Sequence, residues 1–414
     1  DLFDISLEAM LSERLHYNSH HGAGYVNHMG QPAEVYAING DRRYLDASVN
    51  AYKKVKTKAI QKTGGVTCES EYLAPIGSNV ETEYCGFAMY NKSLAVLAAV
   101  TGETCYSDDM ERVVFNGAQG ARKKDEKAIA YLSSPNQIFA TAHSSYADHH
   151  HHQVYAPCVP VACCAVMSVR ILPEFIKGIA LTDTDGNLYF SVYAPADVDF
   201  APFKIHIDTL YPFRDTIKFH IKTDKSCKKE LYFRIPEWCG NAKLYVNGEI
   251  QNVECTASTY VGLEREWHDC DIVTLKLPMK VRVSKVNDND RFHLNPIAIE
   301  YGPLLFSLPI PEKWQAYAGS PITPLPEGWY WYNVYPDNKQ SNLDVYDNMG
   351  MLKHLITYNV AIDENISPDE IEIIEQDRNG YVWENPLVKL RLRAYKAPYS
   401  YPPYPSKTFE PYCE

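Results

Sequence analysis

The amino-acid sequence predicts a chain in two parts, helical up to about residue 180 and built mainly of strands after it. Apolar residues recur at spacings of three and four in the first part and alternate singly in the second. The turn-forming run Asp185-Gly186-Asn187 stands where the pattern changes. Asp41 follows the breaker Asn39-Gly40 and opens a helix that runs to about Lys62, before Gly64-Gly65. Phe87, Tyr90, Leu94 and Leu97 share one face of a second helix, which stops near Thr101-Gly102. A third covers 106–116 and is closed by Gly117; a fourth covers 163–177, where Pro173 is expected to kink or shorten it. This half is read as all α.

In the second part, Leu188 to Tyr193, Ile205 to Ile207, Ile217 to Ile221, Leu231 to Ile235 and Lys243 to Val246 read as short strands at sandwich spacing. Asn247-Gly248 is the strongest hairpin signal among them. Beyond about Pro309 the chain is rich in Pro, Trp and Tyr, and the stretch from Ala397 to Cys413 is expected to lie over the surface as a clamp or an added strand. The expected division is 1–180 helical, 181–308 a β-sandwich, and 309–414 a β-rich end with a Pro/Tyr tail.

The 414 residues carry 40 Lys+Arg against 52 Asp+Glu, a formal charge of −12. That sign argues against nucleic acid and anionic membranes as partners, because both need a basic footprint. Neutral or cationic ligands suit it better. No stretch approaches the roughly 18 consecutive apolar residues of a membrane span, so a soluble chain is expected. The start, Asp1-Leu2-Phe3-Asp4, lacks the basic-then-apolar layout of a signal peptide, which leaves the compartment open. The 11 cysteines are odd in number, so internal disulfides cannot pair them all. The 31 tyrosines suit either a sugar-binding surface or plain sheet packing.

Cys163-Cys164 is the most informative feature. Adjacent Cα atoms lie about 3.8 Å apart, below the usual disulfide range, so two thiols opening a helix suggest a metal. The alternative is a pair of small buried residues. Glu83 and Cys85, at i and i+2 in a helix entry, could complete an O,S,S,S set suited to zinc; Glu83 could equally be a first-turn acid facing the helix dipole. Glu69, Glu71, Glu81 and Glu83 surround a glycine-containing loop, and paired carboxylates are the equipment of glycoside hydrolysis. His149–His152 reads as an exposed loop, since four consecutive side chains cannot face one ion. His20-His21-Gly22 precedes a helix-like segment and would offer imidazole either to a pocket or as a cap.

Taken together, these segments resemble glycoside hydrolase family 127, the β-L-arabinofuranosidase-like proteins. The resemblance runs through Asn39 to Ala47, Glu83-Tyr84-Cys85, Met110 to Gly117, Ala162-Cys163-Cys164, and Phe233 to Cys239 with Val246 to Glu249. Arg265-Glu266-Trp267 and Tyr301 to Leu304 also carry it. It implies an (α/α)6 toroid, here partial, followed by antiparallel β-sandwich domains. It also implies a retaining hydrolase, with Cys163 as nucleophile on a zinc ion shared with Glu83, Cys85 and Cys164. Glu71 falls at the general acid/base position, with Glu69 as its substitute, and burial is expected to raise the acid's pKa so that it begins protonated. His21, Glu111 and Tyr131 fall near substrate-pocket positions. A β-L-arabinofuranoside or related sugar is the implied substrate; the competing reading is an inactive, zinc-stabilised carbohydrate-binding or scaffold protein. Roughly half the helices of such a toroid are legible, so its N-terminal portion is expected to be missing and the chain to self-associate as a homo-oligomer.

Overall fold

The computed structural model describes residues 5–286, except 18, 78–79, 136, 138, 143–152 and 158–161, then 296–307 and shorter pieces up to 411. Helices α1 (Leu7–Leu11), α2 (Gly22–Met29), α3 (Gln31–Asn39) and α4 (Arg42–Lys58) come first. The Asp41 side chain accepts from the Arg43 amide at 3.0 Å, the N-cap expected of it, and α4 ends at Lys58, a few residues earlier than its apolar period suggested.

Helix α5 (Tyr84–Thr101) is the axis of this half. It packs against α2, α3, α6 (Thr104–Arg112), α8 (Ala162–Ser168) and α9 (Ile171–Lys177), which is why apolar or small residues occupy nearly its whole circumference. It stops at Gly102, whose φ of 71° suits a left-handed cap.

Two expectations need correction here. The third helix does not close at Gly117: after α6 it widens into a π-helical turn, Val113–Gly117, and continues through α7 (Ala118–Gly120). Gly117 is required by contact, since a Cβ there would lie 2.4 Å from the Phe87 ring and 2.9 Å from the Thr63 carbonyl. The fourth helix is two, broken at Val169–Arg170. Pro173 has no N–H to give to Val169, and its ring crowds that carbonyl, so the break falls one turn before the proline.

The first half is also not all α. Strands Thr67–Glu69, Tyr72–Leu73, Glu81–Glu83 and Leu132–Ser133 form a small sheet beneath the N-terminus of α5. Their burial demands it, because backbone groups removed from water need partners.

The expected strands from Leu188 to Val246 are all present. One six-stranded antiparallel sheet runs in the order Glu249–Ile250, Lys243–Val246, Ile272–Lys276, Thr216–Thr223, Phe203–Thr209, Ala196–Phe200. Asn247 and Gly248, with φ of 52° and 86°, make the predicted hairpin turn. A four-stranded sheet, Thr259–Trp267, Cys227–Ile235, Leu188–Phe190, Ala180–Thr182, contains one parallel pairing. The two sheets meet through Phe219 of the first against Phe190 and Phe233 of the second, at ring distances of 4.6 and 5.0 Å.

A further six-stranded sheet has its own core, from Val281, Ile299 and Leu304 to Val388, Leu390 and Leu392. In it Ser400–Pro411 lies between Leu304–Ser307 and Val388–Lys396, so this part of the Pro/Tyr tail is an added strand. This sheet draws strands from both sides of residue 308.

Helix α6 holds the helical half to the β part. Arg234, fully buried, forms ion pairs with Asp108 and Glu111, and Arg112 reaches Glu300 at 2.7 Å and Glu237 at 3.1 Å.

Candidate active site

Five separate segments converge at the N-terminus of α5. Glu83 ends its strand and opens that helix, with Cys85 in the first turn. Cys163 and Cys164 stand in the first turn of α8, where free backbone N–H groups favour thiolate. Glu71 lies in the two-residue turn between Thr67–Glu69 and Tyr72–Leu73. Both turn residues are left-handed, Ser70 at φ 49° and Glu71 at φ 73°, a strained conformation for side chains other than glycine. The Glu71 carbonyl accepts from the Gly22 amide at 2.7 Å, which ties this turn to the start of α2.

His21 is the N-cap of α2, so both readings of it meet in one side chain. Its Nδ1 accepts from the Gly24 amide at 3.0 Å, which leaves the ring proton on Nε2. That nitrogen lies 3.6 Å from Glu71 Oε2 and 3.4 Å from Glu83 Oε2.

The ligand atoms of Glu83, Cys85, Cys163 and Cys164 all lie within 4.8 Å of one another, as do those of His21, Glu71 and Glu83. Cys85 Sγ is 3.3 Å from Cys164 Sγ, and Cys163 Sγ is 3.9 Å from Cys164 Sγ. Glu83 Oε1 stands 3.9 Å from Cys163 Sγ and 3.7 Å from Cys164 Sγ. Tetrahedral zinc with Zn–S near 2.3 Å would set such atoms about 3.5–3.8 Å apart, so the donor set fits. Glu83 Oε1 faces the thiols, while its buried Oε2 faces His21 Nε2. Cys85, Cys164 and Glu83 are buried while Cys163 is exposed, so one thiol of the set faces outward.

Tyr131 links the halves of the site. Its hydroxyl hydrogen-bonds Glu71 Oε1 and lies 3.3 Å from Cys163 Sγ. Hydrogen bonds from Cys164 and Cys85, with help from Tyr131, pull the Cys163 thiol far below its ordinary range. Burial pushes Cys164 up, and the hydrogen bond with Cys163 pushes Cys85 up, so negative charge gathers on the exposed sulfur. Burial also raises Glu83 to about 7. Glu71 departs from expectation: its partnership with His21, supported by Tyr131, outweighs burial and holds it below the usual carboxylate range. The Glu71 interaction in turn raises the imidazole pKa of His21.

Not every anticipated residue arrives here. Glu69 points outward from its strand, exposed, and is outside the cluster. Glu111 is placed elsewhere: its carboxylate is 1% exposed and pairs with Arg234 while accepting from the Tyr193 amide and the Tyr211 hydroxyl. It is committed to joining α6 to the sandwich, with no face left for a sugar. His149–His152 lie outside the described residues. Arg122 was not anticipated. It donates to the Tyr84 hydroxyl at 2.7 Å and to the Ser168 carbonyl at 2.9 Å, clamping the start of α5 to the end of the helix that carries the cysteine pair. Nothing in its sequence surroundings, a polar turn, marks it out.

Comparison with known proteins found likeness in both sequence and fold. The family model described as the GH127 catalytic domain of β-L-arabinofuranosidase matches residues 13–177, and that of the GH127 middle domain matches 187–279. A GH127 β-L-arabinofuranosidase from Geobacillus stearothermophilus shares 17% identity over 95% of this chain, with a TM-score of 0.68. A solved glycoside hydrolase gives 18% and 0.68, and another GH127 β-arabinofuranosidase 18% and 0.66, each again over 95% of this chain. This chain spans only 58%, 63% and 57% of those three proteins. No curated protein matches it. The fold and the matched segments thus define a protein of the glycoside hydrolase class. Within that class, the chain belongs to glycoside hydrolase family 127.

Proposed function

We propose that this chain carries the catalytic apparatus of a retaining glycoside hydrolase acting on β-L-arabinofuranosides or a related sugar. Residues 1–180 would form part of an (α/α)6 toroid, followed by sandwich and C-terminal β-rich domains over 181–308 and 309–414. The observation that supports this best is the convergence of an exposed thiol, two buried thiols and two glutamates, Glu71 and Glu83, from segments far apart in sequence.

Glu83, Cys85, Cys163 and Cys164 would hold a zinc ion, which when bound keeps sulfur in the thiolate form. Cys163, the exposed member, attacks the anomeric carbon as the glycosidic C–O bond breaks. Glu71 gives its proton to the departing oxygen. The sugar is then held as a thioglycoside on Cys163. Ionised Glu71 next takes a proton from water, whose oxygen attacks the same carbon and releases the Cys163 sulfur. His21 and Tyr131 hold free Glu71 ionised, so in this reading Glu71 takes up the proton needed for the first step before it acts as the acid. Tyr131, placed between Glu71 and Cys163, can donate to the sulfur while Glu71 carries that proton. His21 and Tyr131 line the sugar site.

Elemental analysis of the purified protein tests the site. About one zinc per chain is expected, lost or weakened in Cys163→Ser, together with turnover of an aryl β-L-arabinofuranoside. No metal in a folded, reduced sample would overturn this reading.

A further inference from the structure

The aromatic residues beyond Pro309 are unused by this mechanism, and several gather on a sheet whose edge strand leads into Tyr131. Strands Glu312–Tyr317, Trp331–Pro336, Tyr155–Ala156 and Ile129–Ala130 form a four-stranded sheet in that order. Tyr332 stands opposite both Ala316 and Tyr155, so strand alternation puts Trp314, Tyr332 and Tyr155 on one face. The Trp314 ring lies 5.0 Å from that of Tyr155 and 6.0 Å from that of Tyr332. All three are partly exposed, and neither hydrophobic core includes them, whereas Trp331 of the same sheet is 1% exposed and belongs to a core. Trp331 is thus packed inside a core, whereas these three pack against one another at a partly exposed face.

Polar groups border the rings. Lys123 Nζ stands over the Tyr332 ring, 5.0 Å from its centroid, and over the Trp314 ring, 5.9 Å from its centroid, and lies 2.5 Å from Asp125 Oδ2. The Trp314 indole donates to Glu312 Oε2 at 2.8 Å. Partly exposed rings inclined at 58° and 67° to one another, with a cation and carboxylates among them, offer both apolar and hydrogen-bonding surface to a sugar ring, which has an apolar C–H face and a rim of hydroxyls. Ala130, opposite Tyr155, directly precedes Tyr131, whose hydroxyl touches Glu71 and Cys163. Sheet spacing puts the Tyr155 and Tyr131 backbones only about 6 Å apart.

We propose that Trp314, Tyr332 and Tyr155, with Lys123 among them, form a second carbohydrate subsite, which holds neutral sugar units of an oligosaccharide beyond the one being cleaved. This rests on the glycosidase reading above. The rings take the apolar faces of those units; Lys123 and Asp125 serve as donor and acceptor for their hydroxyls.

Isothermal titration calorimetry on the Glu71→Gln protein, with a linear L-arabinofuranosyl tetrasaccharide and with methyl β-L-arabinofuranoside, tests it. Adding Trp314→Ala should weaken the tetrasaccharide at least tenfold and leave the monosaccharide unchanged, while Trp314→Phe keeps most of the affinity. Tyr332→Leu gives the same reading should Trp314→Ala not fold. Failure of the tetrasaccharide to bind, or equal losses for both ligands, overturns the subsite. Absence of turnover by the wild type, with Trp314-dependent tetrasaccharide binding retained, would instead overturn the hydrolase reading and leave the subsite standing.

Discussion

Glu71 is the side chain whose surroundings say most about its task. A left-handed backbone in a two-residue turn, His21 on one carboxylate oxygen and Tyr131 on the other fix where it points. As a general acid it matters most for leaving groups that need a proton. Glu71→Gln should therefore reduce turnover by roughly 10²–10⁴-fold for alkyl glycosides and far less for a good aryl leaving group, with zinc content unchanged. Equal losses across leaving groups would take the residue out of the mechanism. His21 holds this carboxyl below its ordinary range, so His21→Gln should let the Glu71 pKa rise. Because the second step needs ionised Glu71, the acid limb of the kcat profile should move to higher pH. Of these roles, the thiols and Glu83 were legible from residue type and position at helix entries. The choice between Glu71 and Glu69 rested on resemblance alone, since strand alternation decides it only once the turn is known.

Helix α5 owes its place to small residues on its neighbours as much as to its own apolar faces. Gly117 N–H donates to the Thr63 carbonyl at 3.0 Å, with the Phe87 ring against its Cα. Gly117→Ala should destabilise by about 1–3 kcal/mol, visible in thermal or urea unfolding, because neither backbone nor ring can retreat in a packed interior. An unchanged midpoint would mean that the π-helical turn absorbs the methyl group. The sequence pattern located α4 and α5 well, and it missed α3, where buried and exposed positions follow no clear stripe. It also missed the short strands around Glu71 and Glu83. Strands of two or three residues have no period to detect, and they exist because buried backbone must be paired.

Across the whole molecule, charged side chains tie the helical half to the β part. Burial pushes the Glu300 carboxyl up, but Arg112, aided by Lys62 and Arg282, outweighs it and holds the carboxyl below its ordinary value of 4.5. A depressed folded-state pKa gives stability that is fully present above the unfolded value and is lost as pH falls through the folded one. Glu300→Gln should thus cost about 3–5 kcal/mol at neutral pH, by leaving buried cations unpaired, and the difference should shrink below about pH 4.5. Unfolding midpoints of both proteins between pH 3 and 7 would check this, and a constant difference would speak against it.

The division into a helical and a stranded half, the hairpin at Asn247-Gly248 and the candidate ligands Glu83, Cys85, Cys163 and Cys164 follow from the order of residues alone. Apolar periods, turn chemistry and the thiolate's affinity for metals are local properties, and they survive in a bare sequence. The placement of Glu111 against Arg234, the clamp made by Arg122, the proton position on His21 and the aromatic face of Trp314, Tyr332 and Tyr155 do not follow in that way. Each depends on groups tens to hundreds of positions apart, or on one backbone amide at a helix start. What a charged or aromatic side chain does is set by what faces it, and folding alone supplies that partner.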